Sequence, residues 1–121
     1  MSAFSHVGTV VPQKIWDGVV SRGVHGRNVT VTLLELDAGG AIPEHSHVNE
    51  QIGILVEGSA TFTIDGETRE AEPGSMWVIP AHAPHSVVTG HEGAIIVEAF
   101  APPRGDWAGL ETLAPGPGRW P

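Results

Sequence analysis

The stretch Gly39-Gly40-Ala41-Ile42-Pro43-Glu44-His45-Ser46-His47-Val48-Asn49-Glu50-Gln51-Ile52-Gly53-Ile54-Leu55-Val56-Glu57-Gly58 carries three signals together. Glycines bound it, an aliphatic run closes it, and His45, His47 and Gln51 share one parity within it. In a strand, side chains two apart project from the same face. Alternation therefore predicts that His45, His47 and Gln51 point one way and Glu50 the other. A bulge at Asn49-Glu50 would exchange Gln51 for Glu50. A second run, Pro80-Ala81-His82-Ala83-Pro84-His85, supplies a further histidine beyond a turn. Neutral imidazole is the commonest metal ligand, and three imidazoles with one amide oxygen can hold a divalent first-row ion. The plainer alternative is that His45 and His47 only line a polar barrel mouth.

Short β-branched stretches flank this segment on both sides. Val29 to Leu36, Ile52 to Val56, Thr61 to Ile64, Met76 to Ile79 and Ala94 to Phe100 read as strands. Asp65-Gly66 is a two-residue hairpin signal, because both residues tolerate positive φ. Pro73-Gly74 reads as a type II turn. No segment sustains a helical period with caps. Many short strands between regular turns predict an all-β sandwich or closed barrel. Residues 1–121 read as one domain with a barrel core at about 28–100. An N-terminal segment, 1–22, packs across the barrel or onto a partner, and the tail 105–121 is irregular. Trp16 and Trp107 read as packing residues, with dimer contact or lid as the alternatives. Trp77 reads as core.

Composition narrows the function. Fourteen acids face six bases, a formal charge of −8, which argues against nucleic acid. The chain has no cysteine, so disulfides, thiolate metal sites and cysteine nucleophiles are excluded. No apolar run reaches the ~20 residues of a membrane helix, and the first residues lack a secretory signal pattern, so a cytoplasmic protein is expected. Seven histidines against six bases is the unusual feature. His6, His25 and His91 sit beside small or acidic residues and read as surface groups, and His82 as solvated or close to the pocket mouth.

The run from Gly39 to Gly58 resembles the first motif of the cupin family: a glycine, five residues, His45-x-His47, three residues, a fourth ligand, six residues, Gly58. The run from Gly74 to His85 resembles the second motif: a glycine, five residues, Pro80, then His85. The resemblance covers about Asn28 to Phe100 and implies an antiparallel jelly-roll β-barrel holding a metal inside. The chain departs from the pattern in having Gln51 where most cupins carry glutamate, His82 where the family has glycine, and Thr89 where it has asparagine. The metal implied is a single divalent transition ion, zinc, nickel, manganese, iron or copper, held by His45, His47, Gln51 and His85. Such a ligand set is neutral, so the ion keeps its double charge as a Lewis acid.

A narrower likeness rests on His-x-His-x-x-Glu-Gln followed by Phe100-Ala101-Pro102-Pro103-Arg104-Gly105-Asp106-Trp107. This is similar to small bacterial cupins of pectin and alginate breakdown that convert unsaturated uronates to the linear keto form. The likeness implies catalysis by Glu98, where those proteins have aspartate, and by Arg104, with Phe100 and Arg104 contacting a small carboxylated substrate. Alternative readings are a Glu98–Arg104 ion pair at the rim, or a solvent-facing Glu98. The activity expected is metal-assisted tautomerisation or isomerisation. The alternatives are a dioxygenase on a flavonol- or diketone-like substrate, and a non-catalytic ligand-binding or cyclase-like module. A homodimer is expected, without nucleic-acid or membrane partners.

Overall fold

The computed structural model describes residues 2–121; Met1, part of the segment 1–22, lies outside the described residues. Among the described residues eight strands follow in order: β1 (Gln13–Trp16), β2 (Val19–His25), β3 (Thr30–Leu36), β4 (Ala41–His45), β5 (Glu50–Ile64), β6 (Glu67–Ala71), β7 (Met76–Ile79) and β8 (His85–Ala101). A 3₁₀ turn, η1 (Gly105–Gly109), comes after them. Every pairing is antiparallel. No helix among the described residues is long and apolar enough to cross a membrane.

Two long strands build the barrel. The stretches Ile52 to Val56 and Thr61 to Ile64 belong to one strand, β5, and Ala94 to Phe100 is the second half of β8. The first half of β5 pairs with β7 and with the second half of β8; its second half pairs with β6 and the first half of β8. Both strands thus pass from one layer to the other. The register shifts between Leu55 and Glu57 and again between Gly58 and Ala60. Gly58 has φ +83° there, and a Cβ would collide with the Gly93 carbonyl, so only glycine fits the corner. The result is the all-β jelly roll expected from the sequence. Strands β1 and β2, within 13–25, extend the β3 layer ahead of the expected core.

The Asp65-Gly66 hairpin forms with φ values of 48° and 84°, joining Ile64 to Glu67. Leu34, Leu36, Leu55, Ile79 and Ile96 fill the interior between the layers. Alternation on β3 and β8 sets Thr30, Thr32, Glu98 and Phe100 on that same inner face, toward one end of the barrel. That end is polar inside, and it holds the histidines.

Candidate metal centre

His45 closes β4 and His85 opens β8, and the two are register partners. His47 lies in the short link between β4 and β5. The link is held at both ends. His82 donates its N–H to the His47 carbonyl at 2.8 Å, and Asn49 Nδ2 donates to Pro102 O. His82 itself has φ +67°, which accounts for glycine at that position of the motif. One ligand atom from each of His45, His47 and His85 lies within 4.8 Å of the others.

The ring orientations carry the chemistry. Nδ1 of His45 donates to Pro43 O at 2.8 Å, Nδ1 of His47 to Asn49 O at 2.9 Å and Nδ1 of His85 to Ala83 O at 2.9 Å. Each imidazole therefore keeps its proton on Nδ1 and has its lone pair on Nε2. His85 Nε2 is buried with no hydrogen-bond partner among the described residues. A buried polar atom left this way is costly unless something else binds it. Burial brings the His85 pKa down to about 4, with the neighbouring His45 and His47 and the Arg104 charge acting the same way. Burial and Arg104 likewise lower His47. Both rings are neutral at neutral pH, the form that binds metal.

Gln51 completes the cluster. Its Nε2 donates to Glu98 Oε2 at 2.5 Å, so its Oε1 faces the histidines, 3.0 Å from His47 Nε2. Two lone pairs, one from nitrogen and one from oxygen, thus converge with no proton between them. A divalent cation satisfies that arrangement. Glu50 is exposed. The alternation premise does not hold through this segment, because β4 stops at His45 and β5 starts at Glu50. Gln51 faces inward because β5 sets it between Ile79 and Phe100.

Glu98 is buried, with neither the solvent-facing position nor the Arg104 partner that the sequence left open. Its Oε2 accepts from Gln51 and, at 2.8 Å, from Trp77 Nε1. Burial pushes its carboxyl up, against those two bonds and the Arg104 charge. Arg104 donates from Nε and Nη2 to the two oxygens of Asp106, at 3.1 and 3.0 Å. Its guanidinium also lies 4.8 Å from the centre of the Phe100 ring and 4.6 Å from that of Trp107. Phe100 in turn meets His47 at 5.9 Å. Trp107 is buried in this stack, and Trp16 packs on His45 at 5.1 Å. The cavity there is about 40 Å³, opens partly to the outside and is lined by His45, Gln51, His85, Glu98, Phe100 and Arg104 among others. That is room for an ion and a little water. His6, His25, His82 and His91 are exposed.

The fold, with three histidines brought together inside a small barrel where they could hold a metal, defines the class as a cupin. The cupin domain model matches residues 32–100, more than half of the chain, and the protein belongs to the cupin family. Within it, the chain is 32% identical over 97 residues to the pectin degradation protein KdgF of Dickeya dadantii, covering 78% of this chain and 88% of that one. It superposes on the structure of KdgF from Halomonas sp. with a TM-score of 0.73, at 27% identity over 78% of this chain and 88% of that one. An RmlC-like cupin from Shewanella frigidimarina shares the fold with a TM-score of 0.82 at 23% identity, over 89% and 97% of the chains.

Proposed function

We propose that this protein is a metal-dependent cupin enzyme that converts an unsaturated uronate to its linear keto form. The observation that carries the reading is the convergence of four neutral lone-pair donors beside a buried carboxylate, in a chain similar to KdgF. His45, His47, His85 and Gln51 would hold one divalent transition ion. When bound, such an ion acts as a Lewis acid toward a substrate oxygen.

The reaction needs one proton moved and no other reagent. Opening the cyclic hemiacetal transfers its hydroxyl proton to a base, makes that carbon a carbonyl and breaks the ring C–O bond, which leaves an enolate. The enolate becomes the ketone when the proton is delivered to the neighbouring carbon. One group that accepts the first proton and delivers the second is sufficient. Glu98 fits that role: Oε2 is engaged by Gln51 and Trp77, and Oε1 has no protein partner among the described residues. Phe100 forms one wall of the cavity, and Arg104 Nη1 carries no protein hydrogen bond among the described residues. Arg104 is the group to receive a substrate carboxylate, by exchanging it for Asp106 or through Nη1. The test follows the ultraviolet absorbance of the conjugated double bond. Wild type with metal is expected to consume it, while Glu98→Gln is expected to keep its metal and lose at least 100-fold in turnover. Full activity in that variant sinks the assignment of Glu98.

The expected homodimer also stands as a proposal. Val24, Val31, Ile52, Ile54, Met76 and Val78 are exposed on the outer face of β2, β3, β5 and β7. No charged side chain interrupts the outward positions from Val31 through Val97 and Ala99 to Ile52 and Val78. An uncharged apolar sheet face matches a second copy of itself better than any charged partner. Sedimentation analysis of Ile52→Asp is expected to show monomer where wild type shows dimer. Wild type that sediments as a monomer refutes the proposal.

A further inference from the structure

We propose that Trp77 and Glu98 form a positioning pair that fixes the Gln51 amide with its oxygen toward the histidines, and that Gly53 supplies the space in which they meet. The inference rests on reading His45, His47, His85 and Gln51 as a metal centre.

A glutamine side chain has two ends of nearly equal shape. Only one of them can bind a cation, and the group behind the amide decides which end points forward. Behind Gln51 stands Glu98 Oε2, 2.5 Å from Nε2. The same oxygen accepts from Trp77 Nε1 at 2.8 Å. An indole N–H is only a donor, so this oxygen is held as an acceptor from both sides. Turning the amide over would set Gln51 Oε1 against Glu98 Oε2, two acceptors in contact, and would aim an NH₂ at the metal position. Neither is tolerable in a buried site.

The register shows how the three residues come together. Gly53 faces Glu98 across the β5 and β8 pair and Trp77 across the β5 and β7 pair. The indole lies over Gly53, where a Cβ would stand 2.7 Å from Cε2, Cζ2 and Nε1 of the ring. Phe62 supports the indole on its other side, with ring centres 4.2 Å apart. Any side chain at 53 would push the donor off the carboxylate.

The experiment is a titration of chelator-stripped, full-length protein with Co²⁺ and Zn²⁺ against a competing chromophoric chelator, with the Co²⁺ visible spectrum recorded. Glu98→Met removes the acceptor and is expected to weaken metal binding about 10–100-fold and to change the spectrum. Glu98→Gln can set its amide oxygen where Oε2 stands and accept both N–H groups, so it is expected to restore affinity and spectrum to near wild type. Trp77→Phe keeps the ring and loses one donor, and a loss of several-fold is expected. Thermal unfolding of each metal-free variant reports folding independently. Glu98→Met that binds Co²⁺ as wild type does, with the same spectrum, overturns the proposal. So does Glu98→Gln that is as weak as Glu98→Met. If Glu98→Met does not fold, Trp77→Phe with unchanged affinity and spectrum overturns it. Wild type that binds no metal overturns both this proposal and the metal centre. Wild type that binds metal but leaves unsaturated uronate unchanged removes only the substrate class, and the affinities still decide the positioning role.

Discussion

Replacing Glu35 by leucine is expected to be among the most destabilising changes on the outer surface of the barrel. Glu35 on β3 and Arg22 on β2 both point away from the core, yet their side chains are only 8% and 9% exposed. The reason is that both ends of the chain fold over them. Arg22 donates from Nε to Glu35 Oε1 at 3.0 Å, and from Nη1 to Val7 O at 3.1 Å and Gly116 O at 2.6 Å. The Arg119 N–H donates to Glu35 Oε2 at 2.5 Å. Glu35→Leu removes two charge-assisted bonds and leaves a guanidinium buried without a counter-ion. Breaking such a pair from one side costs about 3–5 kcal/mol. At a few degrees per kcal/mol for a domain of this size, the midpoint of thermal unfolding should fall by roughly 10–20 °C. The double variant Arg22→Met/Glu35→Leu removes both charges and should recover much of that loss. The assay is thermal and chemical unfolding of the three proteins, with limited proteolysis of the tail beyond Leu113. A single variant that loses less than about 1 kcal/mol, with a protected tail, refutes the reasoning. So does a double variant no more stable than the single one.

Further outcomes follow from the same geometry. Burial alone would raise the Glu35 carboxyl, but the Arg119 N–H and the Arg22 guanidinium outweigh it and hold the group below its ordinary value. A carboxyl lowered in the folded state stabilises fully above its unfolded value of about 4.3, and that contribution is lost as pH falls through the folded value. Below about pH 4.5, wild type should therefore lose stability more steeply with acid than Glu35→Gln, and parallel unfolding curves would contradict this. His45→Ala/His47→Ala should bind no stoichiometric metal by elemental analysis while wild type binds one ion per chain; equal contents would remove the metal centre. Gly53→Ala should cost about 1–3 kcal/mol by overpacking against Trp77 and also weaken metal binding, so an unaffected protein would contradict the tight contact. Asp106→Ala frees the Arg104 fork and should lower KM for the carboxylated substrate with kcat little changed, whereas an unchanged KM would separate Arg104 from substrate binding.

Local signals were legible in this sequence, and long-range ones were not. The Asp65-Gly66 hairpin could be read because each residue tolerates the positive φ the turn needs. The three histidines could be read because their glycine-framed spacing is itself the motif. Ile52 to Val56 and Thr61 to Ile64 read as two strands, yet β5 runs through both and bends at Gly58, since the corner is made by contact with Gly93, some 35 residues away. The inward direction of Gln51 was reached through strand parity, although the chain leaves the strand between His45 and Glu50, and the register of β5 with β7 and β8 is what sets it. Trp77 read as core, and it is, but nothing near it in sequence announces Glu98 as its partner. The alternative of a Glu98–Arg104 pair gives way to Asp106, which lies two residues from Arg104 and meets both arms of its fork. Arg22 and Glu35 gave no signal as a buried pair, because the tail that covers them comes from the far end of the chain.

The departure at position 51 and the acid at position 98 have one physical explanation. The first cupin motif most often carries a glutamate where this chain has Gln51. Here a carboxylate at 51 would face Glu98 at the distance that Gln51 Nε2 now occupies, 2.5 Å. Two carboxylates that close cannot both be ionised in a buried site, so one would have to hold a proton. The amide resolves the conflict by presenting a donor backward to Glu98 and an acceptor forward to the histidines. The acid stays in the barrel wall, one residue removed from the histidines, and holds the amide with its oxygen forward through its hydrogen bond. On the proposed reading, an ion held there would keep its full charge for a substrate oxygen, while Glu98 retains an oxygen outside the Gln51 and Trp77 bonds. A glutamate at 51 would merge the ligand and the base into one coupled pair; glutamine keeps their chemistries separate.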